Sequence, residues 1–111
     1  MKYKTVLVPF PFDDLSATKV RPAVCLTEEI KPYGHVVLAF ITSRVANPEA
    51  TDLVINSADK EFGQTGLKVS STVRLHRLVT VSRSLIKRQL GVLSPTHITD
   101  IKSRLSKLFN I

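Results

Sequence analysis

His35-Val36-Val37-Leu38-Ala39-Phe40-Ile41-Thr42 (HVVLAFIT, residues 35–42) is the most apolar segment of the chain. An uninterrupted apolar run of this length reads as a strand, and its apolarity places it at the centre of a sheet. It is bounded by the Pro- and Gly-containing stretch Glu28–Gly34 on one side and by a turn at Asn47-Pro48 on the other. Both read as loops.

Working outward towards the N-terminus, Val20–Thr27 is a second strand with Arg21-Pro22 at its start, and Thr5–Phe12 is a third. Pro9 and Pro11 cannot donate to a ladder, so this third strand is expected at an edge or with a bulge. The polar stretch Asp13–Lys19 between them reads as a mobile loop. Towards the C-terminus, Asp52–Asn56 is a short strand and Asp59–Gly66 a loop with two glycines. Ser70–Val81 (SSTVRLHRLVTV) is a long strand whose alternation slips at Leu78-Val79, the signature of a bulge or bend. Ser84–Lys87 fits one helical turn and Gln89–Leu93 a last short strand. Ser94-Pro95 then opens a helix, Ser as N-cap and Pro at the first helical position. Ile98, Ile101, Leu105 and Leu108 recur at spacings of three and four and form its apolar face. The result is a mainly β chain, a small β-barrel or strongly bent sheet with one C-terminal helix packed on it.

With 111 residues, residues 1–111 amount to one domain. A chain this size buries only about two-thirds of its unfolded surface, so dimerisation would help it. No apolar stretch is long enough to span a membrane or to form a signal-peptide core, which points to the cytoplasm. No low-complexity segment or solenoid repeat is present. The single Cys excludes an internal disulfide and a Cys-based zinc site. Cys25 sits in the apolar Ala23-Val24-Cys25-Leu26 and reads as a buried thiol.

The net charge is +7, and it is unevenly placed. Residues 1–66 hold 7 Lys/Arg and 8 Asp/Glu, whereas residues 67–111 hold 9 Lys/Arg and only Asp100. A basic half of this kind suits a polyanionic partner.

His35, His76 and His97 show no metal-ligand spacing, and the Asp13-Asp14 pair reads as a turn rather than a magnesium site. No Ser-His-Asp signature, phosphate-binding loop or dinucleotide fingerprint occurs, so neither a metal nor a cofactor is expected. Arg21, Thr42, Ser43, Arg74 and His76 remain, at or near strand ends. Arg beside hydroxyls can stabilise a phosphorane-like charge. Metal-free RNA cleavage needs little more, because RNA brings its own 2′-OH nucleophile. The spacing alone fits surface ion-pair partners at least as well.

These residues carry a family resemblance. VLVPFPFDDLSATKVRPAVCLT (Val6–Thr27) resembles the opening of the MazF/PemK toxins of type II toxin–antitoxin pairs, with its apolar-Pro-Phe strand end, polar loop, Arg-Pro pair and apolar strand. FITS (Phe40–Ser43), TVRLHRLVTVSRSLI (Thr72–Ile86) and the tail VLSPTHITDIKSRLSKLF follow in the family's order along essentially the whole chain. The resemblance implies an SH3-like β-barrel with a C-terminal helix, working as a homodimer. It implies a sequence-selective, metal-independent endoribonuclease that cleaves single-stranded RNA (mRNA) to 2′,3′-cyclic phosphate and 5′-OH ends, held in check by a cognate antitoxin with an acidic tail.

Under that resemblance Arg21 matches the family's catalytic Arg before Pro, Thr42 the Thr at the scissile phosphate and Ser43 its hydroxyl neighbour. Arg74 matches the strand Arg that serves as general acid in the PemK branch. Asp14, Ser16, Lys19, Arg44 and Arg77 are the candidate RNA contacts. Two departures stand out. His76 occupies the place of an Asp in the PemK branch, so it either replaces that Asp as base or the site works through Arg21 and Thr42 as in the MazF branch. Lys4-Thr5 stands where members commonly carry Gly-Asp, which implies a changed turn.

Two other functions fit these residues less well. A CcdB-like toxin that poisons gyrase by contact has no use for Arg21, Thr42, Ser43 and Arg74. A plain single-strand binding module usually carries aromatic stacking residues, and here aromatics are 6 % with no Trp.

Overall fold

A computed structural model describes residues 1–10 and 19–111. The expectations for Pro11, Phe12 and the loop residues Asp13 to Thr18 lie outside the described residues, Asp14 and Ser16 among them.

Six strands form one antiparallel sheet: β1 (Lys4–Phe10), β2 (Lys19–Cys25), β3 (His35–Thr42), β4 (Asp52–Ile55), β5 (Ser71–Ser82) and β6 (Arg88–Val92). Their order is β4-β5-β3-β2-β1-β6, so the apolar HVVLAFIT segment does occupy an inner position. The helix α1 spans Pro95–Phe109, and short 3₁₀ turns occur at Phe62–Thr65 and Arg83–Leu85. The sheet curls into a half-barrel closed by the helix, the mainly β architecture read from the sequence.

β1 is not an edge. It pairs with β2 on one side and β6 on the other, and the ladder to β6 carries the bulge, between Thr5 and Val6. Pro9 lies beyond the last β1–β6 pair, Leu7 with Arg88, so its missing N–H falls where that ladder has ended. The slip in β5 is real but earlier than the alternation suggests. Ala39 faces Leu78 and Phe40 faces Arg74, which leaves Leu75, His76 and Arg77 bulged out of the ladder. Leu75 turns fully into the core while His76 and Arg77 stay exposed. That local geometry bends the strand.

Buried side chains gather in two clusters. Val24, Ala39, Ile41, Leu53, Ile55, Val73 and Leu75 pack with Leu93 and with Ile101 of the helix. Val6, Val8, Ala23, Cys25, Val36, Leu38 and Val81 form the other. Strand alternation sends Val24 and Ala23, or Ala39 and Leu38, to opposite clusters.

The helix begins as its sequence dictates. The His97 N–H donates to Ser94 Oγ (3.1 Å), and Pro95 follows the cap. It ends at Asn110, in the left-handed region at φ 56°, where Asn is among the few residues that fit readily. Ile101 is fully buried and Ile98 and Leu105 are half-buried against the core. Leu108 departs from the predicted apolar face: it is exposed, as are Phe109 and Ile111, because the last turn extends past the surface that Ile101 and Leu105 cover. No helix among the described residues is long and apolar enough to cross a membrane.

Candidate nucleic-acid groove

The exposed half of β2 and the end of β3 meet at an open groove of about 650 Å³. In β2 the residues Ala23, Val24 and Cys25 are buried while Lys19, Val20 and Arg21 are exposed. The strand therefore emerges from the core at Arg-Pro and presents Arg21 to solvent. Cα pairing of β2 and β3 includes Ala23 with Phe40. Continuing that antiparallel register by two residues brings Arg21 opposite Thr42. Both line the groove.

Thr42 closes β3 with a turn of its own. Its Oγ1 accepts the Arg44 N–H (3.2 Å), a Ser/Thr turn of the kind that redirects a chain at a strand end. The bond occupies a lone pair of Oγ1 and leaves its hydrogen free to donate. Ser43 and Arg44 are exposed beyond it and also line the groove. Four of the sequence-predicted residues, Arg21, Thr42, Ser43 and Arg44, thus share one concavity.

Two further cations of the groove were not singled out from the sequence. Lys68 comes from the segment after the first 3₁₀ turn, and Arg88 from β6, whose Cα pairs with Leu7 of β1. No carboxylate occurs among the described residues of the lining. Among the described residues, the side chains of Arg21, Arg44, Lys68 and Arg88 form no hydrogen bond or ion pair. Four cations with no counter-charge among the described residues of the lining make this an anion-attracting surface.

Two glycines fix the wall that carries Lys68. A Cβ at Gly66 would sit 2.3 Å from the Leu90 carbonyl oxygen, and one at Gly91 2.1 Å from that of Gln64. Only bare backbone allows the segment to lie so close on β6. Thr5 Oγ1 donates to the Thr65 carbonyl (2.5 Å) and ties the same segment to β1.

The structure does not bring Arg74, His76, Arg77 or Lys19 into this lining. Arg74 shares a row with Asp52 and Phe40, its Cα partners on β4 and β3. Its Nε lies 3.5 Å from Asp52 Oδ1. The Asp52 side chain is buried, and its Oδ2 accepts the Glu49 N–H (2.9 Å). His76 places Nδ1 within hydrogen-bond distance of Thr51 Oγ1 (3.2 Å). The Arg77 guanidinium lies 5.0 Å from the centre of the Phe40 ring, in cation–π range.

The other titratable groups are dispersed. Burial, the main cause, pushes the Cys25 thiol up from its usual range, against a smaller lowering by the Thr27 backbone. His97 is buried at the start of α1 with Nε2 3.5 Å from Asp59 Oδ2. His35 stacks on Tyr33 at the far end of β3. Among the described residues no three His, Cys, Asp or Glu side chains gather as metal ligands would.

A family profile described as PemK-like, MazF-like toxin of type II toxin–antitoxin system matches residues 3–109. Among curated proteins no sequence relative matches. Solved structures share the fold over nearly the full length. The Mycobacterium tuberculosis toxin MazF-mt6 is 22 % identical, with 97 % of each chain covered and a TM-score of 0.73. An endoribonuclease in complex with its cognate antitoxin from a mycobacterial species is 12 % identical, covering 100 % of this chain and 95 % of that one at a TM-score of 0.76. The MazE–MazF structure from Deinococcus radiodurans is 16 % identical, covering 99 % and 94 % at 0.75.

Proposed function

The chain belongs to the PemK-like, MazF-like toxins of type II toxin–antitoxin systems, and on that premise we propose that it is a sequence-selective endoribonuclease acting on single-stranded RNA without a metal or cofactor. The observation that carries this reading is the convergence of Arg21, Thr42 and Ser43 on one cationic groove with no carboxylate among the described residues of its lining.

In the proposed reaction the RNA 2′-OH attacks the adjacent phosphorus. The O2′–P bond forms, the P–O5′ bond breaks, and the proton lost from O2′ is balanced by one gained at O5′. The products are a 2′,3′-cyclic phosphate and a 5′-OH end. The attacking group belongs to the substrate, so the protein's task is to orient the strand and neutralise charge. Arg21 is the group for that charge. Its guanidinium stays protonated in proteins and offers a planar fork of donors suited to phosphate oxygens. The Thr42 hydroxyl, its oxygen held by the Arg44 N–H, donates to the scissile phosphate, and Ser43 supplies a second hydroxyl. Arg44 engages the flanking backbone.

Arg74 and His76 stand outside the groove lining, Arg74 beside a buried carboxylate. We therefore assign catalysis to the Arg21–Thr42 scheme and not to His76 as base. The working unit is proposed to be a cytoplasmic homodimer of the single 1–111 domain, with an antitoxin segment of acidic character competing for the same cations.

Incubating the purified protein with a long single-stranded RNA, with and without EDTA, tests the reading. Discrete fragments bearing cyclic-phosphate and 5′-OH ends, formed equally in EDTA, are expected. Intact RNA, or cleavage lost in EDTA and restored by magnesium, would overturn it.

A further inference from the structure

The groove's cations fall into two sets. Arg21 and Arg44 stand with Thr42 on the β2–β3 side. Lys68 and Arg88 stand on the β6 side. In the sheet β3 and β6 are separated by β2 and β1, three inter-strand steps or roughly 14 Å. Thr42 and Arg88 thus line opposite sides of the groove. Leu7 and Pro22, Cα partners in the ladder, form the apolar floor between the two sets.

The β6 side is built rigidly. The contacts of Gly66 and Gly91 and the Thr5–Thr65 hydrogen bond seat the segment before Lys68 against β6 and β1. Lys68 and Arg88 are exposed, and among the described residues neither has a side-chain partner. Their charge is thus uncommitted, and the wall beneath them is preorganised.

From this we infer that Lys68 and Arg88 form a second phosphate clamp, which holds a neighbouring phosphate of the same RNA strand and positions it without touching the reacting atoms. The inference rests on the proposed RNA-cleaving function and adds two positioning residues to it. Their effect is on binding and on its salt dependence, because each phosphate contact releases condensed counterions.

The experiment measures cleavage of a long single-stranded RNA, together with affinity for a fully 2′-O-methylated single strand, which cannot be cut because its nucleophile is blocked. Lys68→Ala and Arg88→Ala are each expected to raise KM several-fold with kcat within about twofold of wild type. Each should also flatten the slope of log affinity against log salt by about 0.7, the value for one phosphate contact on a single strand. Lys68→Arg should restore the slope. Lys102→Ala, an exposed helix cation outside the groove, should leave it unchanged. Thermal unfolding of each variant checks that the fold is retained.

An unchanged slope and KM in both groove variants would overturn the clamp. So would an equal flattening in Lys102→Ala, or a fall in kcat comparable with that of Arg21→Ala. A wild-type protein that binds the methylated strand but cuts nothing would overturn the nuclease reading and leave the clamp to be judged on the slopes. A protein that binds no strand overturns both.

Discussion

The Nε of Arg74 lies 3.5 Å from Oδ1 of Asp52, across the β4–β5 ladder, with the carboxylate buried and its other oxygen held by the Glu49 N–H. Both facing atoms are buried without a hydrogen bond, so the pair is an electrostatic contact. Removing the cation would strand a buried carboxylate. Arg74→Ala is expected to destabilise the fold by about 1–3 kcal/mol. That is below the cost for a fully buried pair, because a third of the Arg74 side chain remains in water. Urea unfolding reads the effect as a lower midpoint at unchanged slope, and an unaltered midpoint would show that the pair contributes nothing.

His76 meets Thr51 and not the groove. His76→Ala should therefore cleave RNA at close to the wild-type rate, with a pH–rate profile of unchanged shape. A loss of a hundredfold or more, on the order expected for deletion of a general base, would return His76 to the chemistry.

Gly91 and Gly63 offer a matched pair. Alanine at Gly91 would drive its Cβ into the backbone of Gln64 and Thr65, whereas Gly63 has open space. Gly91→Ala should cost about 1–3 kcal/mol, and Gly63→Ala should be close to neutral. Equal midpoints in denaturant titrations of the two variants would contradict the close packing of this wall on β6.

Cys25 is buried, and that burial raises its thiol from an ordinary value of 9.0. The neutral form is thus favoured in the folded state. No stability is lost to this group below pH 9, and some is lost as the pH climbs past it, where the unfolded chain ionises first. An aromatic disulfide reagent at pH 8 should leave the native protein unlabelled and label it rapidly in urea. Fast native labelling would contradict the burial.

Much of the fold was legible because local rules set it. HVVLAFIT had only one economical place, inside the sheet, and Ser94-Pro95 starts the helix through a cap bond within four residues. The convergence of Arg21 with Thr42 and Ser43 was legible through family resemblance. Spacing alone did not separate it from surface ion pairing. Other features come from contacts between distant segments, and no periodicity in one segment records them. The position of Asp52 beside Arg74 depends on the β4–β5 register. The second pair of groove cations depends on Gly66 and Gly91, whose tight contacts let Lys68 approach β6. The bulge at Leu75–Arg77 lay earlier than expected, because burial of Leu75 decided it and alternation did not. The helix pattern overreached at Leu108, where apolar spacing continues past the surface available to cover it.

In the proposed reaction Arg21 supplies the charge that the cleavage transition state needs. The most direct measurement is single-turnover cleavage of single-stranded RNA by Arg21→Ala, alongside its unfolding curve and its size in solution. Loss of one preorganised charge partner should lower the rate by about a hundredfold to a thousandfold, with stability and assembly as in wild type, since Arg21 is exposed and has no side-chain partner among the described residues. A correctly folded Arg21→Ala protein that cuts RNA at the wild-type rate would contradict that role for Arg21.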